Sequence, residues 1–150
     1  MPDCVRAFAS GSPVRIRNPA ATRPWQHVLE PLCGYLLVAE TMREAAEAAR
    51  AWNFDPGADN VATVGDVVAL VAEAWGGSPT WSADPGPHPH EAGLLAVDAS
   101  QARQHLSWKP RLDLRQSVTW AVDWYKCQLA GEDVRLLIQN GIERYETEIA

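Results

Sequence analysis

Three side chains that could bind a ligand lie close together in the stretch Arg23-Pro24-Trp25-Gln26-His27. Pro24 and the preceding Asn18-Pro19 pair favour extended or turned backbone, because the residue before a proline is pushed out of the α region. Pro31 suits the first turn of a helix, where the missing N–H is not needed. The stretch therefore predicts a rigid turn that holds a cation, an indole and an imidazole ahead of a buried helix. The alternative is a solvent-exposed loop arginine beside a core tryptophan, which is the common case.

A second group of polar side chains stands in Gly86-Pro87-His88-Pro89-His90-Glu91. The prolines keep this loop extended, so that His88, His90 and Glu91 could offer hydrogen bonds to a ligand. A metal site is the competing hypothesis, but zinc sites usually show a clearer set of three or four ligands. The third hypothesis is that this polar loop has no binding role.

The overall composition narrows the function classes. The chain has 150 residues, of which 47% are hydrophobic and 21% charged, and its net charge is -6. A dispersed acidic charge argues against binding to nucleic-acid phosphates, which requires a concentrated basic face. No apolar run is long enough to span a bilayer, and we expect neither a signal peptide nor a membrane anchor. Three widely spaced cysteines then predict reduced thiols in a cytoplasmic protein.

Several catalytic motifs are absent from the sequence. There is no G-x-G, no G-x-S-x-G and no Tyr-x-x-x-Lys. Arg15 and Arg17, on an alternating strand, could supplement Arg23 if an anionic ligand lies nearby. As a free-standing enzyme, the chain has no evident catalytic group.

Hydrophobic periodicity and capping residues predict helices and short strands throughout the chain. We expect Thr63 with Asp66, Asp98 or Ser100, and Asp113 to begin three of the helices. The predicted helices are 3–10, 32–48, 63–75, 100–106, 113–130 and 136–149, and the predicted strands are 13–17, 52–54 and 80–83.

The longest motif, Arg17 to Leu37, resembles the signature of CDP-glucose 4,6-dehydratases, which are extended short-chain dehydrogenase/reductases. The segments 52–54, 87–92, 108–111 and 122–125 resemble the same family, so that the resemblance covers essentially the whole chain. It implies that residues 1–150 are a C-terminal nucleotide-sugar-binding portion, without the N-terminal Rossmann half that binds NAD. The implied fold is α/β and helix-rich, with short strands and most of the main sheet missing.

The resemblance also assigns roles to residues. Arg23 falls where the superfamily places an arginine against the substrate pyrophosphate, and Trp25 and His27 would shape the same wall. His88, His90 and Glu91 fall where related dehydratases bring polar groups to the nucleotide. The family usually continues with an aromatic residue and a basic residue where this chain has Leu94 and Ala96.

For function, the resemblance implies a lyase portion that is inactive alone. The full-length family uses NAD to convert CDP-glucose to CDP-4-keto-6-deoxyglucose, and we expect no cofactor or catalytic residue in this chain. The implied partner is a nucleotide sugar of the CDP-glucose class, in a family that forms homo-oligomers. A second hypothesis is that the chain completes an active enzyme together with a separately encoded N-terminal half. The alternative is a non-catalytic interaction module that has lost its ligand. We also expect residues 52–54 to form an unpaired strand edge, and the apolar start of the helix near Leu32 to be exposed.

Overall fold

The computed structural model describes residues 1–57, 60–86 and 93–147. These residues form an α/β fold made mostly of helices, as the sequence predicts. The helices are α1 (Pro2–Ala9), α2 (Leu29–Met42), α3 (Val64–Trp75), α4 (Ser100–His105), α5 (Leu114–Leu129) and α6 (Val134–Thr147), and a 3-10 helix covers Ala46–Ala48. The strands are β1 (Val14–Ile16), β2 (Thr22–Pro24), β3 (Val61–Thr63) and β4 (Trp81–Ala83).

The four strands form two small sheets. β1 pairs in parallel with β4, with Val14 opposite Trp81, and β2 pairs antiparallel with β3, with Thr22 opposite Thr63. The predicted strands at 13–17 and 80–83 are confirmed. β2 and β3 were not predicted, because Pro24 interrupts the strand pattern of β2 and β3 runs directly into Thr63, the N-cap of α3.

The larger core lies between α3 and α5 and is covered by α1 and β1. Its buried residues are Cys4, Phe8, Val14, Ile16, Val67, Val68, Val71, Val118 and Val122. Both central helices begin with a capping box, formed by Thr63 with Asp66 and by Asp113 with Gln116. The predicted caps at Thr63 and Asp113 are confirmed. The prediction that Asp98 or Ser100 caps α4 is wrong, because Ala99 is the N-cap, although the Asp98 carboxylate accepts the amide hydrogen of Ser100.

A smaller core surrounds Trp108, which is 1% exposed. Ala99, Ala102 and Leu106 complete it, and Trp52 and Phe54 pack against its edge. The prediction of a strand at 52–54 is wrong, because these residues make no strand ladder here. Instead the Phe54 ring lies edge-on to the Trp108 ring with centroids 5.1 Å apart, so the expected unpaired strand edge does not form.

Helix α2 has one face against this smaller core and one in solvent. It begins at Leu29, three residues before the predicted start, and ends at Met42, well before the predicted end near residue 48. The prediction of an exposed apolar face is confirmed, since Leu32, Tyr35 and Leu36 are 44%, 58% and 72% exposed. No helix in the described part of the chain is long and apolar enough to cross a membrane.

Candidate functional site

The predicted site residues Arg23, Trp25 and His27 lie in one segment, residues 22–30, which we call the site loop. Its first residues are strand β2, whose pairing with β3 fixes the backbone at Arg23. The Trp25 amide donates to the Asn60 carbonyl at 3.2 Å, and the indole Nε1 donates to the Ala62 carbonyl at 3.0 Å. The Trp25 ring packs against the larger core, so this end of the site loop is tied to the centre of the fold.

Arg23 is half-buried on β2. Its Nη1 donates to the Thr22 carbonyl at 2.8 Å, which holds the guanidinium close to its own backbone. A guanidinium fork binds phosphate oxygens through paired, charge-assisted hydrogen bonds. Arg23 therefore has the chemistry expected of a phosphate contact.

His27 is half-buried where the site loop meets α2. Its Nδ1 accepts the Leu29 amide hydrogen at 3.3 Å, and its ring lies edge-on to Trp120 with centroids 5.8 Å apart. Burial lowers the pKa of His27, since a charged imidazole is poorly solvated there. The ring is therefore neutral near pH 7 with its proton on Nε2. Its Nδ1, by accepting the Leu29 amide hydrogen, helps to begin α2.

His88, His90 and Glu91 lie outside the described residues. The described backbone on either side of them is fixed at the site loop and at β1. The Thr22 amide donates to Gly93 at 2.7 Å, and the Leu95 amide donates to Thr22 at 3.2 Å. On the other side, the Asp84 amide donates to Ile16 at 2.8 Å, one residue before Arg17. The chain thus leaves β4 beside Arg17 and returns beside Arg23.

Glu30 is a functional candidate that the sequence reasoning missed. Its side chain is fully buried at 0% exposure. Oε1 accepts the amide hydrogens of Arg111 at 2.9 Å and Leu112 at 2.8 Å, and Oε2 accepts the Tyr145 hydroxyl at 2.8 Å. An acidic residue in the first turn of a helix was the available signal, but its partners are distant in sequence.

The surroundings of Glu30 join three parts of the chain. The Trp108 indole donates to the Glu30 carbonyl at 3.2 Å, which connects α2 to the smaller core. Burial, followed by the hydrogen bond to Glu30, raises the pKa of the Tyr145 hydroxyl. Tyr145 therefore keeps its proton and donates a hydrogen bond to Glu30 at every ordinary pH. The Arg111 guanidinium lies 5.3 Å from the centre of the Tyr145 ring, within the range of a cation–π contact.

Within residues 1–57, 60–86 and 93–147, no group of three or more histidine, cysteine, aspartate or glutamate side chains could hold a metal ion. The described cysteines, Cys4, Cys33 and Cys127, are free thiols.

Sequence comparison finds a relative that matches almost the whole chain. CDP-glucose 4,6-dehydratase from Salmonella typhimurium is 40% identical over 146 residues, which are 97% of this chain and 41% of that protein. This chain is similar to CDP-glucose 4,6-dehydratase. The predicted resemblance is thereby confirmed, and the chain spans about two fifths of the dehydratase's length. No protein-family model matches the sequence.

Solved structures show the same fold. A UDP-glucose-4-epimerase from Stenotrophomonas maltophila, with bound NAD and formylated UDP-arabinopyranose, matches 87% of this chain and 40% of its own at 18% identity, with a TM-score of 0.73. A UDP-glucuronic acid 4-epimerase from Bacillus cereus, in complex with UDP-glucuronic acid and NAD, matches 85% of this chain and 39% of its own chain, at 20% identity and a TM-score of 0.72. A dTDP-glucose 4,6-dehydratase from Bacillus anthracis, in complex with NAD, matches 82% of this chain and 37% of its own chain, at 16% identity and a TM-score of 0.61. At these identities the likeness concerns the fold alone, which is that of the C-terminal part of extended short-chain dehydrogenase/reductases.

Proposed function

We propose that residues 1–150 are the nucleotide-sugar-binding portion of an enzyme of the CDP-glucose 4,6-dehydratase type. The observation that carries the proposal is the pairing of Thr22 with Gly93 and Leu95, because it holds the described backbone from residue 93 onward against the strand that bears Arg23. The 40% identity to the Salmonella dehydratase supports a CDP-linked hexose as the ligand class.

In the proposed complex, Arg23 pairs with the pyrophosphate, and Trp25 and His27 form the adjoining wall. His88, His90 and Glu91 supply polar contacts to the nucleotide. A neutral His27 with a proton on Nε2 offers a hydrogen-bond donor without adding charge. We assign no catalytic or cofactor residues to this chain and place NAD binding in the part of the dehydratase that the chain does not match.

A titration of CDP-glucose, followed by tryptophan fluorescence and calorimetry, tests the proposal. Arg23→Ala removes charge-assisted hydrogen bonds worth about 1.5–3 kcal/mol, so we expect affinity to fall by about 10- to 100-fold. Arg23→Lys keeps the charge but not the fork, and we expect an intermediate loss. Arg43→Ala is the control, because Arg43 follows the far end of α2, roughly 20 Å along the helix axis from the site loop.

Equal affinities for the wild-type chain, Arg23→Ala and Arg43→Ala would overturn the assignment of Arg23. A folded chain that does not bind CDP-glucose would favour the alternative, an interaction module without this ligand. Turnover of CDP-glucose by the chain with added NAD would contradict the proposal that it is inactive alone.

The exposed apolar face of α2 supports a second element of the proposal, an N-terminal NAD-binding half as partner. Leu32, Tyr35 and Leu36 expose more apolar surface than isolated surface residues normally do. Mixing the chain with the NAD-binding half of a CDP-glucose 4,6-dehydratase should then produce dehydratase activity. Leu36→Lys should abolish this complementation, whereas Leu129→Lys, at a 56% exposed position ending α5, should not. Equal effects of the two variants would exclude α2 as the contact surface.

A further inference from the structure

Helix α6 reaches the site loop at two separate points. The first is the hydrogen bond from the Tyr145 hydroxyl to Glu30 Oε2, at 2.8 Å. The second runs through Trp120 of α5. The Arg144 guanidinium lies 3.9 Å from the centre of the Trp120 ring, and that ring contacts His27. Consecutive residues of α6 thus hold the two ends of the segment from His27 to Glu30.

Both contact points govern how α2 begins. Nδ1 of His27 accepts the amide hydrogen of Leu29, so tilting the imidazole breaks a bond at the first residue of the helix. The Glu30 carboxylate is satisfied by donors at both oxygens, and a buried acceptor that loses its donor is costly. Loss of either contact should therefore loosen the site loop while the α3–α5 core, which α6 does not complete, stays intact.

We propose that α6 fixes the conformation of the site loop, with Tyr145 as the positioning residue that acts through Glu30. The effect on ligand affinity rests on the proposed function, whereas the effect on loop order does not. Tyr145 touches no ligand in this proposal. Through Glu30 it fixes the His27–Glu30 end of the site loop, and with it the position of His27.

Amide hydrogen exchange resolved by NMR tests the inference without a ligand. In Tyr145→Phe, we expect the amides of Arg111 and Leu112, which donate to Glu30, to exchange at least about tenfold faster. The amides of Val68 and Val71 in the larger core should keep their wild-type rates. Tyr125→Phe is the matched control, because it removes a hydroxyl from a tyrosine whose ring lies against Trp124 on α5.

A second variant keeps the test decisive if Tyr145→Phe does not fold. Arg144 is exposed, and Arg144→Gln removes the cation that lies over the Trp120 ring. The expected result is faster exchange of the Leu29 amide, which donates to His27. Uniformly faster exchange that includes Val68 and Val71 would overturn the inference, since α6 would then stabilise the whole chain. Unchanged exchange in the site loop would overturn it as well.

The ligand titration adds an independent outcome. If the wild-type chain binds CDP-glucose, both α6 variants should weaken binding by about three- to tenfold, because part of the binding energy must then order the site loop. Unchanged affinity in a variant with a loosened loop would refute the positioning role. If the wild-type chain does not bind, the proposed function fails, and the exchange rates alone still decide whether α6 orders the loop.

Discussion

Among the glycines whose surroundings the structure describes, Gly34 leaves the least room for a methyl group. It lies within α2, and the Phe54 ring packs directly against its backbone. A Cβ added there would meet three ring carbons of Phe54, lying 2.5 Å from Cδ1, 2.7 Å from Cζ and closest to Cε1. Real Cβ atoms essentially never approach another atom within 3.0 Å, so the ring or the helix must move.

The size of the effect depends on the contacts of Phe54. The ring is held between Tyr35 and Trp108, with centroids 5.6 Å and 5.1 Å away, so it has little room to turn. Overpacking of this kind costs up to about 3 kcal/mol. The better helix propensity of alanine returns about 1 kcal/mol. We expect Gly34→Ala to lower the free energy of unfolding by about 2 kcal/mol, which corresponds to a Tm decrease of roughly 4–8 °C at this length.

Thermal and urea unfolding followed by circular dichroism provide the assay. Gly141→Ala is the control, because Gly141 is also helical and a Cβ added there meets no atom within 4 Å. We expect it to stabilise the chain by about 0.5–1 kcal/mol. The double variant Gly34→Ala/Phe54→Leu should recover part of the lost stability. If Gly34→Ala stabilises the chain as Gly141→Ala does, the packing of Phe54 against α2 is refuted.

Two further predictions concern pH. Because burial lowers the pKa of His27, the unfolded chain binds a proton before the folded chain does. The stability of the fold should decrease as the pH drops from the ordinary histidine pKa of 6.5 through the lower folded-state pKa. The urea midpoints of His27→Asn, measured between pH 5 and 8, should not show this decrease. Hydrogen bonds from the Thr63 side chain and backbone lower the pKa of Asp66. The stability that this carboxylate contributes to the fold is therefore complete above the ordinary pKa of 3.8, and it is lost as the pH falls through the lower folded-state pKa. The difference in Tm between wild type and Asp66→Asn should shrink over that acidic range, and a difference that stays constant down to pH 2 would contradict the assignment.

Local signals in the sequence predicted local structure well. Thr63 and Asp66 are three residues apart and satisfy each other, so their capping box depends on nothing distant. The strand expected at 52–54 was wrong because a strand requires a partner, which no local pattern supplies. Phe54 and Trp52 instead fill the side of a small core, and the Phe54 carbonyl accepts a hydrogen bond from the Gln26 side chain at 3.0 Å.

The candidate site was predictable in part. Arg23, Trp25 and His27 do lie in one constrained segment. The pairing of this segment with Gly93 and Leu95 uses only backbone hydrogen bonds, which no side-chain pattern in the sequence indicates. The roles of Arg23, Trp25, His27, His88, His90 and Glu91 in binding stay predictions. Glu30 was missed because a glutamate near a helix start usually faces water, and only the tertiary structure reveals its burial.

The hydrogen bonds of Glu30 also bear on the order in which the chain can fold. They join residues 81, 82 and 115 positions apart in sequence. At the usual rate of about 5–20 residues per second, the ribosome needs roughly 6–23 s after adding Glu30 to add Tyr145. During that interval Oε2 of Glu30 lacks its tyrosine partner, so the hydrogen bonds that place the start of α2 are incomplete. Contacts of such long range slow folding, so the segment proposed to bind the nucleotide sugar should be among the last to become ordered on a nascent chain.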